Sequence, residues 1–146
     1  MNNTKIAIFK GKNIRKTIFQ NEWWFVINDI IEALTDSLDT AQYFKRLKER
    51  DEELAKLTDK GGVQFVPPLM LEFETSGGKQ KMYCWHTEGI FRLVQSIPSP
   101  KAEPLKRWFA KIGYERIQEI EDPELATKRT RILYKLKGYS DDWIEK

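Results

Sequence analysis

The side chains most capable of chemistry are few in this sequence. His86 is its single histidine and Cys84, two positions earlier in "YCWH", its single cysteine. A metal centre needs about four nitrogen, sulfur or oxygen ligands, and no second pair accompanies these two. Strand alternation puts both on one face, where the ordinary reading is a half-buried strand pair. Glu72 and Glu74 in "LEFET" share a strand face and would suit a metal nuclease if further carboxylates converged on the same ion. None does, and Lys79 and Lys81 lie across the turn, so cross-strand Glu–Lys pairs are expected instead. There is no phosphate-binding glycine loop, dinucleotide fingerprint or nucleophile elbow. Neither enzyme activity, nor a cofactor, nor a metal is expected.

The remaining chemistry is ionic. Lys and Arg number 25 against 22 Asp and Glu, a net charge of only +3. Residues 51–100 carry 5 basic and 7 acidic side chains, so the flanks are positive. Basic residues gather at Lys10–Lys16, Lys45–Arg50, Lys101–Lys111 and Lys128–Lys137, and "KRTRILYKLK" contains no acid. Such strips suit a phosphate-facing surface, or are solvated helix faces. The richest context is "WWFVINDIIEALTDSLDTAQYFKRLKER", Trp23 to Arg50. It reads as two short amphipathic helices joined by a polar turn. The second points Ala41, Phe44 and Leu47 inward and Gln42, Tyr43, Lys45, Arg46, Glu49 and Arg50 outward. A helix-turn-helix presents such a second helix to the major groove, where Gln pairs with adenine edges, Arg with guanine and Lys with phosphate. The turn "TDSLD" lacks a glycine, but Asp36 or Ser37 can close it through a side chain. The acidic run Asp51–Glu53 would repel phosphate if it faced the same way. Two readings therefore stand: a DNA-reading helix, and a helix pair that closes a core. Trp23, Trp24, Phe25, Tyr83 and Trp85 could stack on single-stranded bases, but aromatic residues on strands are ordinarily core.

These groups need a scaffold, and 146 residues suffice for one domain with a real core. No apolar run approaches the ~18–20 residues of a membrane helix. "MNNTKIAIFK" carries no export signal, and the lone cysteine fits a cytoplasmic protein. "KIAIFK" and "NIRKTIF" read as a hairpin about Gly11-Lys12, followed by a strand "WWFVI". Asn28 or Asp29 can cap the first helix, with Ile30, Ile31 and Leu34 on one face; Asp39 or Thr40 can cap the second. A connector is expected around Lys56–Gly62. "VQFV" to "LMLEFE" and "QKMYCWH" flank a hairpin turn, with Pro67-Pro68 confining the first to an edge or bulge. Thr87 can cap "EGIFRLVQSI". The longest helix starts near Pro104 and ends near Asp122, with Leu105, Trp108, Phe109, Ile112, Ile117 and Ile120 at helical spacing; Trp108, Phe109 and Ile112 are expected to pack on the sheet. Asp122-Pro123 opens a further helix that runs to about Lys137 and stops at Gly138. Ser140 can cap "DDWIEK", whose single turn is unstable alone and reads as truncated or as packing on a partner. The expected class is α+β: a small antiparallel sheet from hairpins, packed with a helix-turn-helix-like pair and a long helix in the C-terminal half.

"DIIEAL" at Asp29–Leu34, "GIFRLV" at Gly89–Val94 and "LKRWF" at Leu105–Phe109 follow in an order and spacing that resemble the Bro N-terminal domain of phage and prophage antirepressors and of the baculovirus repeated-gene proteins. The corresponding family patterns are "DVAEAL", "GLYRLI" and "FKRWV". The resemblance covers roughly Lys5 to Glu121 and rests mainly on core positions. It divides the chain into a Bro-type domain over 1–121 and a helical extension over 122–146. The segment "ATKRTRILYKLKGYSDDWIEK" is similar to segments that follow this domain in DNA-damage-inducible protein D. The resemblance implies a double-stranded DNA-binding domain with a role in phage or stress gene regulation, and no enzyme. The chain departs from the pattern after "EAL", where "TDSLD" replaces a glycine-aromatic turn. With the resemblance added, the expected DNA-facing residues are Gln42, Tyr43, Lys45, Arg46 and Arg50 on the second helix, with Lys106, Arg107, Lys128 and Arg129 from the later basic strips. The alternative is a protein-interaction module that captures a repressor. A second copy of the chain is a further candidate partner; a membrane is not.

Overall fold

The computed structural model describes residues 13–60, 65–140 and 142. The expected strand "KIAIFK", its Gly11-Lys12 turn, "VQ" of "VQFV" and most of "DDWIEK" lie outside them. Strands β1 (Lys16–Phe19) and β2 (Glu22–Val26) form a hairpin. Its two-residue loop, Gln20-Asn21, has φ of 51° and 64°, the doubly left-handed geometry that matches strand twist. The chain then enters α1 (Ile27–Leu34), α2 (Thr40–Arg50) and α3 (Glu52–Lys60). Strands β3 (Leu69–Thr75) and β4 (Gly78–His86) follow, then α4 (Thr87–Ser96), a 3-10 turn at Pro100–Ala102, α5 (Glu103–Glu121) and α6 (Pro123–Leu136). The four strands form one antiparallel sheet in the order β1-β2-β4-β3. The α+β expectation holds, and β3, which starts after Pro67-Pro68, is an edge strand. Glu72 stands opposite Lys81, and Glu74 opposite Lys79, as the alternation implied.

The core lies where the central strands meet α1 and α4. Trp24, Phe25 and Val26 of β2 are all buried, as are Cys84, Trp85 and His86 of β4. Consecutive burial means both faces of these strands are covered there. Ile30, Ile31 and Leu34 of α1 are buried as their spacing required, with Ile90, Leu93 and Val94 of α4. Gly89 is required by close packing: a Cβ there would fall 2.3 Å from the Trp85 indole. Trp85 also donates its Nε1–H to the Val66 carbonyl at 2.7 Å.

Several local expectations are corrected. Neither Asn28 nor Asp29 caps α1; the helix leaves β2 directly, and Val26 stands at the cap with no side-chain bond. Asp29 is instead buried and held by Arg15, whose backbone N–H, Nε and Nη2 donate to it at 2.9, 2.8 and 2.7 Å. His86, not Thr87, caps α4: its Nδ1 accepts the Gly89 N–H at 3.2 Å. The connector around Lys56–Gly62 is helical up to Lys60, because Asp51 caps α3 through the Leu54 N–H and Leu54 and Thr58, one turn apart, are buried. The inward face of α2 includes Tyr43, half-buried beside Phe44 and Leu47, whereas Ala41 is exposed. Positions 40, 43, 44, 47 and 48 share one side, a small rotation from the expected stripe.

Contacts divide the chain into two compact units, one spanning residues 8–106 and one including residues 107–146. In the second, Asp122 caps α6 through the Glu124 N–H, with Pro123 at the first helical position as expected. Gly138 follows the helix end at a φ of +91°. Leu105, in the first turn of α5, is buried as its spacing implied, Trp108 and Phe109 are half-buried, and Ile112, Ile117 and Ile120 are exposed, so the apolar spacing of α5 marks a buried face only at its start.

Candidate nucleic-acid interface

The exposed side of α2 is assembled by its buried side. Phe44 and Leu47 are buried, with Phe44 6.3 Å from the Tyr83 ring. Opposite them Gln42, Lys45, Arg46, Glu49 and Arg50 are exposed. Lys48 is half-buried, its ammonium 4.7 Å from the centre of the Phe44 ring. Tyr43 points inward, and burial raises its hydroxyl above the ordinary range.

The turn that presents α2 is held by side chains, which explains why it needs no glycine. Thr35 Oγ1 donates to the Ile31 carbonyl at 2.7 Å and accepts the Ser37 N–H at 3.1 Å. Ser37 Oγ donates to the Asp39 carbonyl at 3.0 Å and accepts the Asp39 N–H at 3.2 Å. Asp39 then caps α2, accepting the Gln42 N–H at 3.0 Å. Of the two residues expected to close the turn, Ser37 does so; Asp36 pairs with Lys101 at 2.6 Å.

The acidic run after α2 is partly turned away from solvent. Asp51 accepts from Ser96 Oγ at 2.5 Å and from Arg92 Nη2 at 3.1 Å. The Ser96 bond, the Leu54 N–H and the Arg92 guanidinium hold its carboxyl below the usual carboxylate range against the opposing effect of burial. Glu53 pairs with Lys56 at 3.4 Å, and Glu52 is exposed. Sequence reasoning named neither this network nor the Arg15–Asp29 clamp. Their distant partners carry no local signal, though Asp51 before an acidic first turn is a recognisable cap.

Gln42, Lys45, Arg46 and Arg50 are thus brought to one helix face. Lys106 is half-buried in the same unit. Arg107, Lys128 and Arg129 are exposed in the second unit. Arg129 is committed to Glu119, with Nη2 3.0 Å from Oε2 and Nε bonded to Oε1.

His86 and Cys84 have structural environments. His86 is occupied as a cap, and burial pushes the Cys84 thiol up to about 11, leaving it protonated at neutral pH. Among the described residues no three His, Cys, Asp or Glu side chains gather as a metal would require. No helix among them is long and apolar enough to cross a membrane.

The model of the BRO family, N-terminal domain, matches residues 13–118. The chain belongs to this family. The Bro domain is a DNA-binding type of domain found in phage antirepressor-like proteins, and the match takes in the sheet, α1–α4 and most of α5. No curated protein and no solved structure matches the chain.

Proposed function

We propose that this Bro domain binds double-stranded DNA through the exposed face of α2, as the cytoplasmic DNA-binding part of a phage-derived antirepressor or stress-response regulator. It needs no cofactor and catalyses no reaction. The observation that carries this reading is the placement of Lys45, Arg46 and Arg50 on the free side of a capped helix whose other side is locked into the core. Phosphate neutralisation supplies most of the affinity, and base readout is modest. Gln42, exposed near the start of the helix, is the side chain best placed for a base edge; Tyr43 is turned inward. Lys106, in the same unit as α2, adds a phosphate contact, and Arg107 and Lys128 offer further positive charge in the second unit by itself; Arg129 is engaged by Glu119. The stress-response role rests on the resemblance read in the sequence of Ala126–Lys146, which lies beyond the residues that the family model matches.

Capture of a repressor is the second reading, favoured by Leu38. It is fully exposed at the tip of the α1–α2 turn, between Asp36 and Asp39; an apolar tip flanked by carboxylates suits a protein surface better than a phosphate one. Titration with duplex DNA at two salt concentrations separates the readings. Phosphate binding must fall steeply as salt rises, while an apolar interface changes little. Plasmid incubated with the chain and Mg²⁺ or Mn²⁺ is expected to stay intact. Chelator-sensitive nicking that Glu72→Gln abolishes would make the protein a nuclease.

A further inference from the structure

The ion pair between Glu119 and Arg129 identifies the faces that α5 and α6 turn toward each other near their corner at Asp122. Ile112 lies seven residues before Glu119, and Ile132, Leu133 and Leu136 lie three, four and seven after Arg129. Helical spacing puts each set on the same face as its ion-pair partner, leading away from the corner. In a closed hairpin these side chains would bury one another. Instead Ile112 is 43% exposed, Ile132 59%, Leu133 41% and Leu136 78%. A cavity of about 100 Å³, lined by Ile112, Glu115, Arg116, Glu119 and Arg129, opens between the helices. Among the described residues from Arg107 onward, Glu119 alone is buried. An ion pair with an exposed partner adds little, and among the described residues the two helices bury no apolar side chain between them, which leaves a helix pair marginal in water.

We infer that a second copy of this chain fills the gap, two hairpins interlocking antiparallel as a four-helix bundle. The charge pattern selects this occupant. Glu115, Glu119, Glu121, Asp122 and Glu124 surround the corner with Arg116 as their one base, while Lys128–Lys137 carries five bases and no acid. A hairpin acidic at its corner and basic toward its open end is complementary to itself when inverted. Each copy lays the Ile132–Leu136 stripe between the other's helices, and each basic end meets an acidic corner. Lys128, Arg131 and Lys135, at i, i+3 and i+7, lie on the neighbouring side of α6, off the apolar stripe. The inference does not depend on whether the domain binds DNA.

Sedimentation equilibrium of the full chain tests it. At tens of micromolar the mass should be twice the 17.3 kDa of one chain, and the dissociation constant should rise only modestly with salt, because salt screens the charged ends and leaves the apolar stripe unaffected. Ile132→Glu with Leu136→Glu should weaken association by at least ~100-fold by burying unpaired charge. Ile117→Glu, on another side of α5, should leave the dimer intact. Lys135→Glu with Lys137→Glu should weaken association without touching an apolar residue, and adding Glu121→Lys with Glu124→Lys should restore it. A wild-type monomer at all concentrations overturns the inference, as does a dimer that survives the charge reversal or is broken by Ile117→Glu.

Discussion

Replacing Lys45 and Arg46 with alanine tests the α2 face with the least disturbance to the fold. Both side chains are exposed, while Phe44 and Leu47, which anchor the helix, are untouched. Alanine is at least as good a helix former, so the urea midpoint should correspond to a change within about 0.5 kcal/mol. If each side chain neutralises one phosphate, the log–log dependence of affinity on salt loses about 0.9 of slope per residue, or ~1.8 in all. Between 50 and 200 mM salt that slope is worth about 12-fold, so the affinity gap between wild type and variant should shrink by that factor across the range. Fluorescence anisotropy with a labelled duplex at several salt concentrations reads both quantities. Arg50 and Gln42 remain in the variant, so residual binding is expected. A folded variant with unchanged affinity and slope would refute the reasoning: the helix pair would then close the core only, and the basic strips Lys101–Lys111 and Lys128–Lys137 would become the next candidates, each tested by itself.

Three further outcomes concern the scaffold. Gly89→Ala should lower stability by about 1–3 kcal/mol, since its methyl would overlap the fully buried Trp85 ring; an equal or higher urea midpoint would contradict that packing. Asp51→Asn keeps a capping oxygen but removes the charge held by Ser96, Leu54 and Arg92. The Asp51 carboxyl is depressed in the fold, so its contribution of about 1 kcal/mol is present above the unfolded-state value near 4 and lost as pH falls through the folded one. The stability gap between wild type and variant should therefore be open at pH 7 and narrow steadily as pH falls below about 4, and a gap that stays constant down the acid limb would reject the network. Gly113→Ala should slow amide exchange along α5, gaining up to ~1 kcal/mol of helix propensity, because nothing lies within 4 Å of the added methyl; faster exchange would mean that a neighbour needs that space.

Legibility followed the range of the forces involved. The stripe Ile30, Ile31 and Leu34, the Asp39 and Asp122 caps and the β3–β4 hairpin are set by residues within a few positions of one another, and all appear as read. The β1–β2 hairpin was hidden because Gln20-Asn21 adopts a left-handed turn without glycine. Helix α3 was hidden because a mostly polar nine-residue segment buries only Leu54 and Thr58. The phase of α2 depended on a distant ring, Tyr83 against Phe44, and no local pattern distinguishes Ala41 from Tyr43 as the inward residue. On α5 the apolar period was real, but a period tells which side of a helix is apolar, not whether the same chain covers it; Ile112, Ile117 and Ile120 are left exposed.

The same distinction governs the candidate interface. Counted along the sequence, Lys45–Glu53 mixes four bases, Lys45, Arg46, Lys48 and Arg50, with four acids, Glu49, Asp51, Glu52 and Glu53, and the basic strip looks half cancelled. Folding changes that count. Asp51 leaves it, bound by Arg92 and Ser96 from α4, and Glu52 and Glu53 begin a separate helix where Glu53 already has Lys56. Lys48 leaves it too, laid over Phe44. What remains on the free side of α2 is Lys45, Arg46 and Arg50 against Glu49. A phosphate responds to these exposed charges and not to the sum along the chain, so the acidic run that argued against DNA binding in the sequence loses much of its force once its first carboxylate is spent on holding α3 to α4.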